Sequence, residues 1–432
     1  MGALVSMRQY YLPISLAMLA ILSLTACTHP IPNNDFGQEH WRQYVDVNPN
    51  QWTRGADRWF FTGEPNDTEL ANRDAPYTAA MSSMNVRIPD IASRVRVKGD
   101  FQVQLYGTQE HANAYLTGPN AALQAVAVEV RGDTVYVHQT QPMSSDIMHQ
   151  VIVRIGIKTL HALTQMGNGR IEAIGMSSED LCIATTADAC GAIYLAGRVN
   201  VKRVTQGGYG AITVVGANAL NLDIVSTGSG PVNMSGNLGI RSITHHGKGN
   251  INIIGTNSYP MQIDTDGSGK IGIYGCANLK NITAKDNTAV YAYPIATDTL
   301  SVIAKNNARI GLSGHALNLS VETYNASRFE GRNLCAQNAY VKAFGASHIN
   351  VTASSKIFAS ASPNSSVYFY GPANLLSSFP GTNEHVIAMG YPTWCNYNSE
   401  YRPYNYTYSH GRENFLYVYK VKRPVRAGYK DE

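Results

Sequence analysis

From Gly191 to Gly371 the chain repeats one short pattern ten times: a turn residue, two apolar positions separated by one polar or small residue, and a second turn residue. The clearest copies are GAIYLAG (Gly191 to Gly197), GAITVVG (Gly210 to Gly216), GPVNMSG (Gly230 to Gly236), GNINIIG (Gly249 to Gly255) and GKIGIYG (Gly269 to Gly275). The phase is kept through TAVYAYP, ARIGLSG, SRFEGRN, SHINVTA and SSVYFYG, so that successive starts lie 19, 20, 19, 20, 19, 20, 19, 20 and 18 residues apart. Alternation with period two identifies a strand, because successive side chains of a strand point to opposite faces. A fixed longer period near twenty identifies a solenoid, in which each repeat buries its apolar side by stacking on its neighbours.

Three inward columns follow. The first runs Ile193, Ile212, Val232, Ile251, Ile271, Val290, Ile310, Phe329, Ile349 and Val367. The second runs Leu195, Val214, Met234, Ile253, Ile273, Ala292, Leu312, Gly331, Val351 and Phe369. A strand six residues ahead of each repeat start supplies the third, from Val204, Ile224 and Ile243 through Ile263, Ile282, Val302, Val321 and Val341. Two strands per coil, cornered by Gly and Asn that tolerate positive φ, predict an all-β protein: a parallel β-solenoid of about ten coils of 19 to 20 residues. The crossover preference predicts a right-handed one. Ten coils at ~4.8 Å would span roughly 45 to 50 Å.

The residues ahead of the repeat alternate too. Residues 94 to 140 read RVRVKGDFQVQLYGTQEHANAYLTGPNAALQAVAVEVRGDTVYVHQT, with RGDT as a hairpin turn. This succession, Gln102 to Leu105, Ala114 to Leu116, an apolar segment, a Gly-Asp turn and Val135 to His138, resembles the opening of the putative autotransporter adhesin, head GIN domain family. The glycine-bounded coils from about residue 150 resemble the rest of that domain, so the resemblance spans roughly residues 90 to 375. It implies a β-solenoid on a bacterial envelope protein with an adhesive role, and it carries no catalytic motif. The chain has more coils than the usual form and adds flanking segments.

The first residues indicate export. Arg8 is followed by an apolar run from Leu12 to Leu24, too short to span a bilayer, and Met1 or Met7 opens the leader. The run ends in Leu24-Thr25-Ala26-Cys27, which resembles a bacterial lipobox. That resemblance implies cleavage of residues 1–26, lipidation of Cys27 and, since Thr28 is not Asp, an outer-membrane destination facing either the periplasm or the outside. Several acyl chains, at about 0.8 kcal/mol per buried methylene, make a durable anchor. Residues 27–35 are a polar tether, 36–90 a Trp-rich segment, 91–375 the solenoid domain and 376–432 a Tyr-rich tail.

Composition narrows the function classes. Charged residues make up 15% and the net charge is +4 over 432 residues, with no basic stripe interleaved with aromatics before the last dozen residues, which argues against nucleic acid as a partner. Expected partners are the membrane, other envelope proteins and surface glycans. No cofactor motif appears, and the cysteine and histidine spacing suggests no metal. Cys182 and Cys190 flank a short loop and are either a local disulfide or two half-buried thiols. Trp41, Trp52 and Trp59 are candidates to cap the first coil or to form a docking surface, as are Tyr404, Tyr406 and Tyr408 in the tail.

A solenoid also hosts polysaccharide hydrolases and lyases, which need paired carboxylates on one outward face. Asp264 and Asp266 stand at an i, i+2 spacing of ~7 Å, with His246 and Lys285 expected in the column of Asp266. The bland reading of this cluster, a solvated ladder of surface ion pairs, outweighs the enzymatic one. The reading is therefore non-enzymatic: an outer-membrane lipoprotein with a β-solenoid for protein or glycan contact, adhesin-like or a subunit of an envelope or secretion assembly.

Overall fold

The computed structural model describes residues 81–108, 110–176, 178–197, 199–257, 259–377 and 385–389. Cys27, the three tryptophans and the tail tyrosines of the sequence reading lie outside them. The described chain is nearly all β, 67% strand and 3% helix. It falls into two compact units, residues 81–252 with 267–269 and residues 253–266 with 270–389. Each is a stack of parallel strands wound as a β-solenoid, and together they count about eleven turns.

The N-terminal unit contains β1 (Met81–Arg87), β2 (Arg94–Lys98), β3 (Gln102–Gly107), β4 (Asn113–Pro119), α1 (Asn120–Leu123), β5 (Val126–Arg131) and β6 (Thr134–Gln139). It continues through α2 (Ser145–Met148), β7 (Ile152–Ile157), β8 (Ala162–Gln165), β9 (Ile171–Ile174), β10 (Ser178–Thr185), β11 (Ile193–Ala196), β12 (Val199–Gln206), β13 (Ile212–Ser226) and β14 (Val232–His245). Two ladders result. One runs β1, β4, β7, β3, β9, β11, β13, β14, antiparallel as far as β7 and parallel after it. The other runs β5, β6, β2, β8, β10, β12, β13, β14, antiparallel only at its first step.

The coil formed by β2 and β3 is therefore not at the end of the stack. It sits between strands β6 and β7, which follow it in sequence, and strands β8 and β9. Antiparallel β1 and β5 end the two ladders, β4 lies between β1 and β7, and α1 between β4 and β5 buries Ala122 and Leu123. Of the Trp-rich segment, a cap or a docking surface on the sequence reading, the described residues include β1 at the end of the first ladder, and residues 113–131 cover the stack beside it. The predicted RGDT hairpin is present, with Arg131 opposite Thr134 and Gly132 at φ +63°.

Close stacking in this unit rests on glycine. A Cβ on Gly210, Gly230, Gly249 or Gly269 would lie 2.0 to 2.2 Å from the carbonyl oxygen of the equivalent glycine one coil earlier, and Gly228, Gly247 and Gly267 form a second such column at 2.1 to 2.2 Å. Only a residue without a side chain fits between two backbones so placed. Beneath the turns, buried Gln165 and Gln206 satisfy the backbone: Gln206 accepts from Gly208 N–H at 2.8 Å and donates to Gly210 O, and Gln165 donates likewise to Gly169 O.

The C-terminal unit comprises most of β15 (Ile251–Thr256), then β16 (Pro260–Thr265), β17 (Lys270–Ala284), β18 (Ala289–Ala304), β19 (Arg309–Thr323), β20 (Arg328–Ala343), β21 (His348–Ala361), β22 (Ser366–Tyr370), β23 (Asn374–Ser377) and β24 (Val386–Ala388). From β16 to β24 neighbouring strands pair in parallel. The sequence reading placed two separate strands in each coil. Here β17 to β21 each run 14 to 16 residues through the corner as one bent strand, and register shifts at the bend absorb the turn.

Turn chemistry also changes. Asp286, Asn306 and Asn325 hold φ near +60° where the N-terminal unit uses glycine pairs, and their side chains form a ladder, Asn325 Nδ2 donating to Asn306 Oδ1 at 2.8 Å and Asn306 Nδ2 to Asp286 Oδ1 at 2.5 Å. Asn and Asp tolerate the left-handed region because their short polar groups bond locally. Under these turns buried hydroxyls take the place of the glutamines: Ser327 donates to Ala304 O at 3.0 Å, and Ser365 to Ala343 O at 2.8 Å.

All the side chains assigned inward in the three columns are buried. Phe329 and Gly331 are the one exchange of bulk. A Cβ on Gly331 would lie 2.3 Å from the Phe329 ring, so the ring fills the place that Leu312 and Val351 fill in the coils on either side.

Candidate functional site

Both carboxylates of the predicted cluster lie exposed at the surface. Asp264 points outward from β16 and is exposed, with Thr283 as its cross-strand neighbour. Asp266 lies exposed just past the strand end, and Lys285 stands half-exposed in the turn after β17. His246, exposed after β14, belongs to the N-terminal unit. Neither carboxylate has the apolar enclosure that a catalytic acid needs. Among the described residues, no three or more His, Cys, Asp and Glu side chains are grouped as metal ligands.

Cys182 and Cys190 are free thiols, which settles the alternatives left by the sequence. The reason is local geometry. Cys182 sits in the middle of β10, which stays extended to Thr185, and the turn that follows carries Cys190 to an exposed corner. Cys276 is a buried free thiol, pushed up to about 12 by burial, and Cys335 is disulfide-bonded.

A polar column that the sequence does not reveal crosses the outer face of the N-terminal unit. In register order it runs Tyr115, Arg154, Gln104, Glu172, Tyr194. Arg154, Gln104 and Glu172 are only 4%, 5% and 8% exposed. Arg154 Nε donates to Gln104 Oε1 at 3.1 Å, and Glu172 is paired with Arg170. Burial, reinforced by the Glu172 charge, raises the Tyr194 phenol above its ordinary value. The Arg154–Gln104 bond clamps β7 to β3 across this face. A second clamp joins β13 to β14: Arg241 holds Asp223 through both carboxylate oxygens, Nε to Oδ1 at 2.9 Å, and Ser242 adds a bond at 2.7 Å. Chiefly because of Arg241, the Asp223 carboxyl is held below its usual range.

The outer face of the C-terminal unit is different in character. Position for position across β18 to β21, Ser301, Ser320, Tyr340 and Phe358 form one outward column. Tyr340 and Phe358 are 44% and 39% exposed, with ring centroids 6.2 Å apart and planes inclined at 46°. Beside them Lys342 Nζ lies 5.0 Å from the Tyr340 ring centre and 3.5 Å from Glu322 Oε1. Glu322 Oε2 accepts from the Tyr324 hydroxyl at 2.9 Å, and Tyr324 stacks on Phe344 at 5.1 Å and 15°. Two aromatic pairs are thus joined through one ion pair. On the other flank Asn338 Nδ2 donates to Asn318 Oδ1 at 3.0 Å. This surface offers rings, hydroxyls and amides on a rigid support.

Fold and surface together define the class: a parallel β-solenoid that carries an exposed aromatic and polar face. A family model described as "Putative auto-transporter adhesin, head GIN domain" matches residues 93–285 and again 277–373. The chain belongs to that family, as the sequence resemblance implied. No curated protein matches it. Among solved structures it is similar to one described as a putative adhesin from Bacteroides fragilis, at 10% identity and a TM-score of 0.27, over 73% of this chain and 97% of that one. It is also similar to a putative lipid binding protein from Parabacteroides distasonis, at 11% identity and 0.22 over 72% and 96%, and to a putative adhesin from Parabacteroides merdae, at 11% and 0.20 over 72% and 95%. No helix among the described residues is long and apolar enough to cross a membrane.

Proposed function

We propose that this chain is a non-enzymatic, lipid-anchored protein of the bacterial outer membrane that presents its solenoid for adhesive contact. The observation that carries the reading is the exposed aromatic face of the C-terminal unit, where Tyr340 and Phe358 stand on strands whose opposite side is fully packed. Rings held rigid at a surface lose little entropy when a partner covers them, which is why aromatics dominate contact sites. Membership of the adhesin-head family supports the same reading. The Leu24 to Cys27 lipobox supports attachment through acyl chains on Cys27, with the polar residues after it as spacer.

The test joins the anchor to the adhesion. Cells producing the chain should incorporate labelled palmitate into it and adhere to a host-derived surface. A Cys27→Ser variant should lose the label, leave the membrane fraction and fail to restore adherence to a deletion strain. Label retained by the variant, or adherence unchanged by the deletion, would contradict the proposal. Recovery of the chain only in a crosslinked complex with other envelope proteins would favour the assembly-subunit role instead.

A further inference from the structure

We infer that the outward face of β18 to β21 is a binding site for a neutral glycan chain, with Tyr340 and Phe358 as its stacking platform; this rests on the adhesive reading above. The face has a floor and a wall. Ser301 and Ser320, in the same column on the two preceding strands, are small, so nothing of the column's own overlies the two rings on that side. The rings rise from the next two strands and close the shelf at one end.

The flanks supply hydrogen bonding. Asn338, bonded to Asn318, lies along one side, and Glu322 with Lys342 along the other. A pyranose has this same division of chemistry. Its axial C–H groups form a weakly polarised apolar face that packs on the negative face of a π system, and its equatorial hydroxyls need donors and acceptors at the rim. A protein hot spot would favour a deep pocket ringed by apolar residues, whereas Ser, Asn, Lys356 and a solvated ion pair border these rings. Glu322 and Lys342 neutralise one another across 3.5 Å, and exposed Lys356, two residues before Phe358, adds a single further cation, too little for the cation array that a sulfated or uronate chain calls for, so the site favours an uncharged sugar chain. Neighbouring strands are ~4.8 Å apart, close to the length of one hexose, so a chain laid along the solenoid axis meets one strand per sugar.

The test uses the purified full chain and a panel of neutral pentasaccharides built from glucose, mannose, galactose or N-acetylhexosamine, with hyaluronan and heparin fragments as charged controls, read by calorimetry and by Tyr fluorescence. At least one neutral member should bind, and Tyr340→Ala/Phe358→Ala should weaken it at least tenfold with an unchanged melting temperature, since both rings point away from the core. Tyr340→Phe should keep binding within about threefold, because the ring face is what stacks. Ser320→Tyr, which fills the shelf, should abolish binding. No binding by any neutral member, equal binding by the double alanine variant, or preference for the charged controls would each overturn the inference. If the double alanine variant restores adherence in the cell assay, this face is not the adhesive surface and the glycan site fails with it, while the lipid anchoring at Cys27 stands or falls on its own labelling result.

Discussion

Substituting Gly230 by alanine tests the close stack on which the N-terminal unit depends. The new Cβ would lie 2.2 Å from Gly210 O, 2.3 Å from Gln206 Nε2 and 2.7 Å from Tyr209 O. Relief to an ordinary contact of about 3.5 Å requires the turns to part by more than 1 Å. Ser229 N–H and Gly230 N–H both bond to Gly208 O across this gap, at 2.9 and 3.0 Å, and neither survives such a displacement. Each buried donor left without a partner costs about 1–3 kcal/mol, so the expected loss is about 3–5 kcal/mol. Two controls isolate the cause. Gly132→Ala meets nothing within 4 Å and carries only the φ +63° strain, about 1–2 kcal/mol. Ser229→Ala, exposed between the two glycine columns, should change stability by less than about 0.5 kcal/mol. Urea denaturation followed by far-ultraviolet circular dichroism gives the differences from the midpoints. If Gly230→Ala cost no more than Gly132→Ala, the claim that backbone contact sets the coil spacing would be wrong.

Phe329 and Gly331 should behave as a complementary pair. Gly331→Leu alone overpacks against the ring and Phe329→Ile alone leaves a void, each costing about 1–3 kcal/mol, whereas the double variant restores the neighbouring coils' pattern and should recover at least about 1 kcal/mol of the summed loss; additive costs would refute the compensation. His315 is pushed down to about 4 by burial, so the unfolded chain takes up the proton first as the pH falls. Its contribution should be complete above about pH 6.5 and decline from there towards pH 4, and His315→Gln should flatten that part of the melting-temperature profile. Asp223 has the carboxylate sign: its folded value is depressed by Arg241, so its stabilisation is present above about pH 4 and is lost as the pH falls below that. Asp223→Asn should therefore lower the melting temperature at pH 7 and make less difference at pH 3, and a constant offset across that range would refute the assignment.

The solenoid was readable from Gly191 onward because each coil there stacks on the next one in sequence, so every inward column repeats at 18 to 20 residues. Turn residues were readable for the same reason. Ahead of Gly191 the order of stacking departs from the order of the chain. Gln104 lies between Arg154 and Glu172, separations of 50 and 68 residues, and no period announces that column. The strand content of 94–140 was legible from alternation, but the capping role of 113–131 was not, since an antiparallel strand at the end of a stack has the same alternation as a parallel one within it. The pairing of Tyr340 with Phe358 has a sequence signal, since both stand one residue before an inward position at the same phase of the repeat. Asp264 and Asp266 are legible as two acids at i, i+2, but their exposure is not, because spacing along a strand carries no information about what encloses it.

Treatment of intact cells with a protease too large to pass the outer membrane is the most direct measurement of an anchored adhesin. The account predicts that the chain is digested on intact cells, that a periplasmic marker is spared, and that the cells lose adherence together with the band. A chain that resists until the outer membrane is opened, with adherence intact throughout, would contradict it.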